Sequence, residues 1–283
     1  MRKNIQKRAA FSMLELVFVI VILGVVSSIG AELIAKVYKS YIVQRAQHRA
    51  SIKTQLTMNQ IVNRLRYVIP GTMVRRIGKT GAPELVTNDM MLDTTGQSYS
   101  VLQWVAMDGD SFEAISTDSS TGSGRRPGWS GFCDVENSTS ETSLSSPGSK
   151  FSITTSIQTN LGKPLGRKFA VFFPGDDNAT AHFGTGAGST ITLNANPDGR
   201  IVERYKLAWT SYALVVEDGD LNLYYNFLPQ RATDINGTKS LLLKDVSNFK
   251  FQRRGLTTRI KLCAEERISE DVNISSCKEK AVF

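Results

Sequence analysis

Histidine is almost missing from this chain. There are two among 283 residues, His48 and His182, far apart in sequence and in different apparent elements. That scarcity leaves little material for an imidazole metal centre or a Ser–His–Asp set. The Gly-x-Ser-x-Gly elbow is absent too, since Gly128-Trp129-Ser130-Gly131 misses its spacing. The run Gly184 to Ser189 is rich in glycine. It lacks the Lys and the strand-to-helix setting of a phosphate loop, so it reads as a flexible hairpin loop. Asp176-Asp177-Asn178 and Glu217-Asp218-Gly219-Asp220 lack the spaced oxygen ligands of a calcium loop, and turn chemistry accounts for both. The expectation is a protein without catalytic residues, resident cofactor or metal, with calcium as the minor alternative.

Acidic residues are missing where basic ones gather. The first ten residues carry Arg2, Lys3, Lys7 and Arg8 and no acid, and none lies between Glu32 and Pro70. The net charge is +8, of which the first ten residues supply +4 and residues 11–70 supply +5, leaving −1 for the remainder. A nearly neutral C-terminal part is a poor match to nucleic acid, because phosphate binding needs clustered Lys and Arg. Positive charge ahead of an apolar run holds the N-terminus in the cytoplasm. The C-terminal part is then expected on the far side of the membrane, where disulfides persist.

Charge of either sign is missing from Leu16 to Ala31. Twenty helical residues span about 30 Å, the thickness of a bilayer's hydrocarbon core. Residues 11–32 are therefore expected to form a membrane-spanning helix. Glu15 interrupts its beginning, and a carboxylate costs roughly 2.5–3.5 kcal/mol at the bilayer centre and less near an interface. Two readings of Glu15 follow: it rests idle at headgroup level, or it awaits a cationic partner. The small pair Ala9-Ala10 directly before Phe11 favours the second, because cleavage there would make Glu15 the fifth residue of the mature chain. An ordinary secretory signal would instead be cut after the apolar run, where Ser28-Ile29-Gly30 and Ile29-Gly30-Ala31 are poor small-x-small sites. An uncleaved anchor is the third possibility.

A basic leader, a small residue, Phe, three residues, Glu and an uninterrupted apolar run resemble the class III signal of type IV pilins and type II secretion pseudopilins. The motif covers about thirty residues. Ala10 stands where that family usually has Gly, and both are small. The resemblance implies that a prepilin peptidase cuts between Ala10 and Phe11, that the Phe11 amine is methylated, and that Glu15 serves filament assembly. It implies a non-enzymatic subunit whose partners are major and minor pilins, the peptidase, the inner-membrane assembly platform and the membrane itself. The expected location is the bacterial inner membrane, with the head in the periplasm, and then the pilus or pseudopilus.

Beyond Glu32 the helical period continues. Ile34, Val37, Tyr38, Tyr41 and Ile42 form one apolar stripe, and Ile52, Leu56, Ile61, Leu65, Val68 and Ile69 continue it up to Pro70-Gly71. The expected helix runs from about Phe11 to about Ile69, with residues 33–70 as its amphipathic half. Arg45, Arg49 and Lys53 recur every four residues, as a solvated face or as a contact for acidic groups on neighbouring subunits. His48 beside them is expected to be exposed. Residues 71–283 read as a β-rich head. Strands are expected around Thr72–Ile77, Ser100–Val105 with a hairpin partner Ser111–Ile115, Phe151–Ile157, Lys168–Phe173, Thr190–Leu193 and Arg200–Ala208. Residues 116–149, rich in Ser, Thr and Gly, read as a long mobile surface excursion with a small knot at Trp129, Phe132 and Cys133. Tyr212–Tyr225 around Glu217-Asp218-Gly219-Asp220 is the clearest hairpin, and Asp-Gly favours a type I′ turn. A meander closes the chain, and its tail resembles the C-terminal sheet of J-type pseudopilins and of larger minor pilins such as those of the mannose-sensitive haemagglutinin pilus. The fold class is thus α+β: a long N-terminal helix packed on an antiparallel, pilin-like β-rich head. Of the three cysteines, Cys263 and Cys277 flank the polar stretch Ala264–Ser276, and closing a loop of about 15 residues contributes roughly 3 kcal/mol. The rival pairing ties Cys133 to either of them.

The mature chain is expected to begin at Phe11. Intact-mass and N-terminal analysis of membrane-extracted protein checks this, and a mature start near Glu32 or an uncut Met1 contradicts it.

Overall fold

No proline interrupts the chain between Phe11 and Pro70. In the computed structural model one helix, α1, runs unbroken from Met13 to Leu65, over 53 residues. The structure describes residues 12–86, 99–116, 126–162, 168–196, 199–269 and 272–283. The chain divides into two compact units, the helix through Arg49 with Glu266–Ile274, and Ala50–Glu265 with Ser275–Phe283.

Regular helix ends four residues earlier than expected. The Tyr67 and Val68 amides donate to Arg64 and Leu65 carbonyls in a tightened last turn. Ile69 then donates to the Val105 carbonyl at 2.9 Å, and Val68 bridges Ala106. The buried face of the second half also differs from expectation. Ala50, Thr54, Thr57, Met58, Ile61 and Leu65 are buried, whereas Ile52 and Leu56 remain 44 % and 56 % exposed. The spacing of three and four residues is kept, but the packed stripe admits two threonines. Thr54 satisfies its hydroxyl on the Ala50 carbonyl at 2.8 Å, and Thr57 donates to Leu242 at 3.2 Å. Both hydroxyls thereby avoid the cost of an unpaired buried group.

The remaining elements, in chain order, are β1 (Val74–Arg76), β2 (Glu84–Leu85), β3 (Val101–Ala106), α2 (Gly109–Glu113), β4 (Ser143–Ser145), α3 (Phe151–Asn160), β5 (Phe169–Phe172), β6 (His182–Ala187), β7 (Thr190–Leu193), β8 (Lys206–Ala208), β9 (Thr210–Glu217), β10 (Asp220–Phe227), β11 (Thr238–Leu243), β12 (Val246–Arg254), β13 (Thr257–Ser269) and β14 (Val272–Val282). They form an antiparallel sheet in the order β11-β10-β9-β3-β1-β2, a second in the order β4-β7-β6-β5-β8, and a three-stranded sheet β12-β13-β14. The α+β architecture expected from the sequence is therefore present.

Alternation along the strands assigns the cores. Leu102, Trp104 and Ala106 of β3 meet Met58, Ile61 and Leu65 of α1, together with Phe249, Phe251, Ile260 and Leu262 of β12 and β13. Strand β5 is buried on both faces. Phe169 and Val171 join the cluster of Trp129, Leu144 and Phe151, while Ala170 and Phe172 join Ile69, Val105 and Ala208. A continuous apolar run is what a strand covered on both sides requires. The β9–β10 turn has Asp218 at φ 53° and Gly219 at φ 81°, the signs that a type I′ turn demands.

Several expected elements take another form. Ser111–Ile115 is not a hairpin strand. Asp108 caps α2 by accepting the Ser111 amide at 3.0 Å, which favours a helical turn. Phe151–Ile157 is helical in α3, where Phe151, Thr154 and Gln158 form the buried stripe. Phe151 stacks 5.8 Å from Phe169, and this tertiary contact overrides local β propensity. Gly184–Ala187 lies within β6 and is not a loop. An added Cβ on Gly186 would come within 2.3 Å of the Phe151 ring, so glycine lets α3 lie against the sheet. Of the excursion 116–149, residues 117–125 lie outside the described residues. The part from Arg126 onward is anchored by buried Trp129, Cys133 and Leu144, and Trp129 donates to the Asp108 carbonyl at 3.0 Å. Of Arg200–Ala208, only Lys206–Ala208 is strand. The polar stretch 264–276 is largely strand, so the Cys263–Cys277 disulfide joins two neighbouring strands, with Cα atoms 4.0 Å apart. Cys133 is a free, buried thiol whose pKa is raised by burial.

Thiol labelling is expected to find no reactive group in the native protein, one after unfolding, and three after unfolding and reduction. The Cys263→Ser/Cys277→Ser protein is expected to lose about 2–3 kcal/mol of unfolding free energy in chemical denaturation. A labelled Cys263 or Cys277 in the unreduced chain contradicts the pairing.

Candidate functional site

The N-terminal half of α1 is the most unusual surface of the molecule. Its first turn is organised by Ser12, whose backbone carbonyl accepts from the amides of Glu15 at 3.0 Å and Leu16 at 3.2 Å. The Ser12 hydroxyl also accepts from the Glu15 amide, at 3.2 Å. Ser12 is thus an N-cap and Glu15 the third helical residue, the spacing of a capping box. A carboxylate here also faces the positive end of the helix dipole. The sequence reading missed this local role, although Ser, two residues and Glu before an apolar run is its signal.

Beyond that turn the surface is apolar all round. Thirteen large apolar side chains between Met13 and Ile29 are exposed. At about 1.5 kcal/mol apiece, covering them is worth on the order of 20 kcal/mol. Monomeric proteins in water rarely expose so large a contiguous apolar area, and such a surface marks a site of contact with lipid or protein. Gly24 and Gly30 add no bulk, and a Cβ on either would meet nothing within 4 Å. From Met13 to Ala31 the helix is about 28 Å long, enough to cross a hydrocarbon core. The first charges after it, Glu32 and Lys36, form an exposed ion pair at 2.7 Å, one turn apart.

The sequence-derived candidates fall as follows. Ala10 and Phe11, the processing pair, lie outside the described residues. Glu15 is exposed in the first turn. Arg45, Arg49 and His48 are exposed on the same helix. Cys263 and Cys277 are bonded to each other, at a distance in sequence from all of these. In the two acidic turns weighed for calcium, Asp176 and Glu217 have other partners. Asp176 accepts from the Asn178 and Thr180 amides at 2.9 and 2.6 Å. Glu217 takes the Tyr224 hydroxyl at 3.0 Å and Lys239 at 2.7 Å. Desolvation pushes the Glu217 pKa up, but the Lys239 ammonium and then the Tyr224 hydroxyl together hold it below its ordinary value.

Asp108 is one buried titratable group that sequence reasoning did not single out. Its carboxyl caps α2 and accepts from Gln158 at 3.4 Å, and burial raises its pKa. It joins α2 to α3 and has a structural role.

Comparison with known proteins gives no match: no protein-family model, no curated protein and no solved structure is significantly similar to this chain.

Proposed function

We propose that this protein is a minor pilin-like or pseudopilin subunit, a non-enzymatic building block that enters a type IV pilus or type II secretion pseudopilus through its N-terminal helix. One observation carries the reading. A single unbroken helix has one half, from Ala50, packed into a folded head, and another half, from Met13, apolar on every side and uncovered. Such a helix suits two environments in turn, first the bilayer and then the core of a filament built from like helices.

The N-terminal residues supply the rest. Cleavage between Ala10 and Phe11 removes four positive charges and frees an amine on Phe11. That amine is a cation at neutral pH, with an ordinary pKa near 7.7–8.0, and methylation leaves it protonatable. In an apolar filament core an unpaired carboxylate and an unpaired amine are each costly. Pairing Glu15 of one subunit with the amine of its neighbour removes both costs and fixes the stagger between helices. The bulk of the head suits a site of low repetition, at the tip or in initiation. The partners are other pilins, the prepilin peptidase and the assembly platform. A membrane-anchored periplasmic binding module that never polymerises needs the same apolar span and would use Glu15 only as a helix cap, but it has no use for the small pair Ala9-Ala10 directly before Phe11.

Glu15→Val is expected to be cleaved and inserted normally yet to enter filaments poorly. A buried charge left without its partner typically costs about 3–5 kcal/mol. Glu15→Asp is expected to be intermediate, because its carboxylate reaches one methylene less far. The ratio of this protein in sheared, purified filaments to that in membranes is the measurement. Wild-type partitioning of Glu15→Val contradicts the pairing.

A further inference from the structure

A cleft of about 580 Å³ opens in the head, within the range of about 300–1,000 Å³ typical of small-molecule sites. Its walls are apolar: Ile69, Val86, Phe172 and Phe173 are buried, and Leu85 and Leu256 stand exposed among the lining residues, Leu256 by 79 %. Two cations line the same cleft, Lys206 and Arg253.

Arg253 stands where the fold calls for an apolar side chain. On β12 the inward row is Phe249, Phe251, Arg253, while Lys250 and Arg254 point out. Arg253 is 8 % exposed, and only its Nε is engaged, donating to the Gly255 carbonyl at 3.2 Å. Among the described residues no carboxylate lies within ion-pair distance of it, and its two terminal nitrogens make no hydrogen bond. Lys206 lines the same cleft and repeats the pattern. It lies on the edge strand β8 opposite Phe172, half-buried, with no ion-pair or hydrogen-bond partner among the described residues. Burial lowers the pKa of both cations, and no neighbouring negative charge counters it. The two acids of the lining do not supply the missing charge. The Asp176 carboxylate is taken up by the amides of its own turn, and Asp177 is exposed, with its carbonyl held by Arg231 at 3.2 Å.

Two partly desolvated cations without a counter-ion are costly in an apolar setting unless an anion joins them. A planar guanidinium presents a fork that matches a carboxylate's two oxygens, and an ammonium adds a point charge. The apolar walls disfavour a small, strongly hydrated dianion and favour a ligand with an apolar body. We infer that this cleft is a binding site for an organic carboxylate carrying an apolar group, with Arg253 and Lys206 holding the carboxylate and the Phe172–Phe173 wall holding the body. Two sources share that chemistry, a free carboxylic acid and the C-terminal carboxylate of a chain ending in an apolar residue. The site belongs to the head alone and does not depend on the filament reading.

The test is ligand-observed NMR on the full chain in nanodiscs, with empty nanodiscs as the blank. The probes are 3-phenylpropionate, its amide, inorganic phosphate, and the peptide Ala-Ala-Phe with a free or an amidated end. The expected dissociation constant for 3-phenylpropionate is of the order of 1 mM, with its amide and phosphate weaker by about tenfold or more. Lys206→Met and Arg253→Met, which keep most of each apolar stem, are each expected to weaken 3-phenylpropionate by about tenfold. Lys206→Met is expected to leave the melting temperature unchanged or raise it, since it removes an unpaired cation and breaks no hydrogen bond. Should Arg253→Met lose its fold with the Gly255 bond, Lys206→Met carries the test alone. Tighter binding of Ala-Ala-Phe than of 3-phenylpropionate, lost on amidation, identifies a chain end as the source, and equal or weaker binding identifies a free acid. The inference is overturned if the amide or phosphate binds as well as the carboxylate, if no carboxylate probe binds, or if Lys206→Met keeps wild-type affinity.

Discussion

The structure depends on one continuous helix having to satisfy two surroundings. From Ala50 to Leu65 one face of the helix fills a protein core, and from Met13 to Ile29 its large apolar side chains are exposed among the described residues. The first half is stabilised by whatever covers it, the second by packing on the β3–β9–β10 face and on β12–β13. A break between the halves would let each find its own environment. None exists, because the chain from Phe11 to Pro70 contains no proline and its two glycines before Gly71, Gly24 and Gly30, sit inside regular helix.

The head is built to hold its end of that helix rigidly. Trp104 and Leu102 of β3 press on Met58 and Ile61, and the opposite face of the same strand continues into further core through Val105 and Ile69. Arg76 shows how a buried charge is accommodated when it is structural. Its guanidinium donates to Gln103 Oε1 at 3.1 Å and to the carbonyls of Ala232 and Thr233 at 2.8 Å. Arg253, also buried, has a single carbonyl partner among the described residues. That contrast within one molecule separates an arginine that braces the fold from one that awaits a ligand.

Much of this was legible in the sequence. A long apolar run, proline-free helical periodicity, the Asp218-Gly219 turn and the β-prone runs of the C-terminal half led to the correct class and to the Cys263–Cys277 bond. What escaped was decided by tertiary contacts. Ile52 and Leu56 are apolar, yet the helix turns Thr54 and Thr57 inward, where the Ala50 carbonyl of the same helix and the Leu242 carbonyl of β11 accept their hydroxyls. Phe151–Ile157 has the composition of a strand and folds as a helix because Phe151 finds Phe169 and a bare Gly186 beneath it. The excursion 116–149 has the composition of a loop, but a few large residues, Trp129 and Leu144 among them, suffice to pin its described part. At the candidate site, the apolar surface and Glu15 were readable from residue order alone, whereas the Lys206–Arg253 cleft joins residues from two sheets and leaves no local pattern.

The central claim is that the uncovered half of α1 ends up against like helices and not only against lipid. A photo-reactive p-benzoylphenylalanine in place of Val21, an exposed residue midway along the apolar run Met13–Ile29, tests this directly in intact cells. The account predicts protein adducts with the N-terminal helices of other pilin-like subunits, recovered in the sheared filament fraction. Adducts to lipid alone, with none of the protein in that fraction, would contradict it.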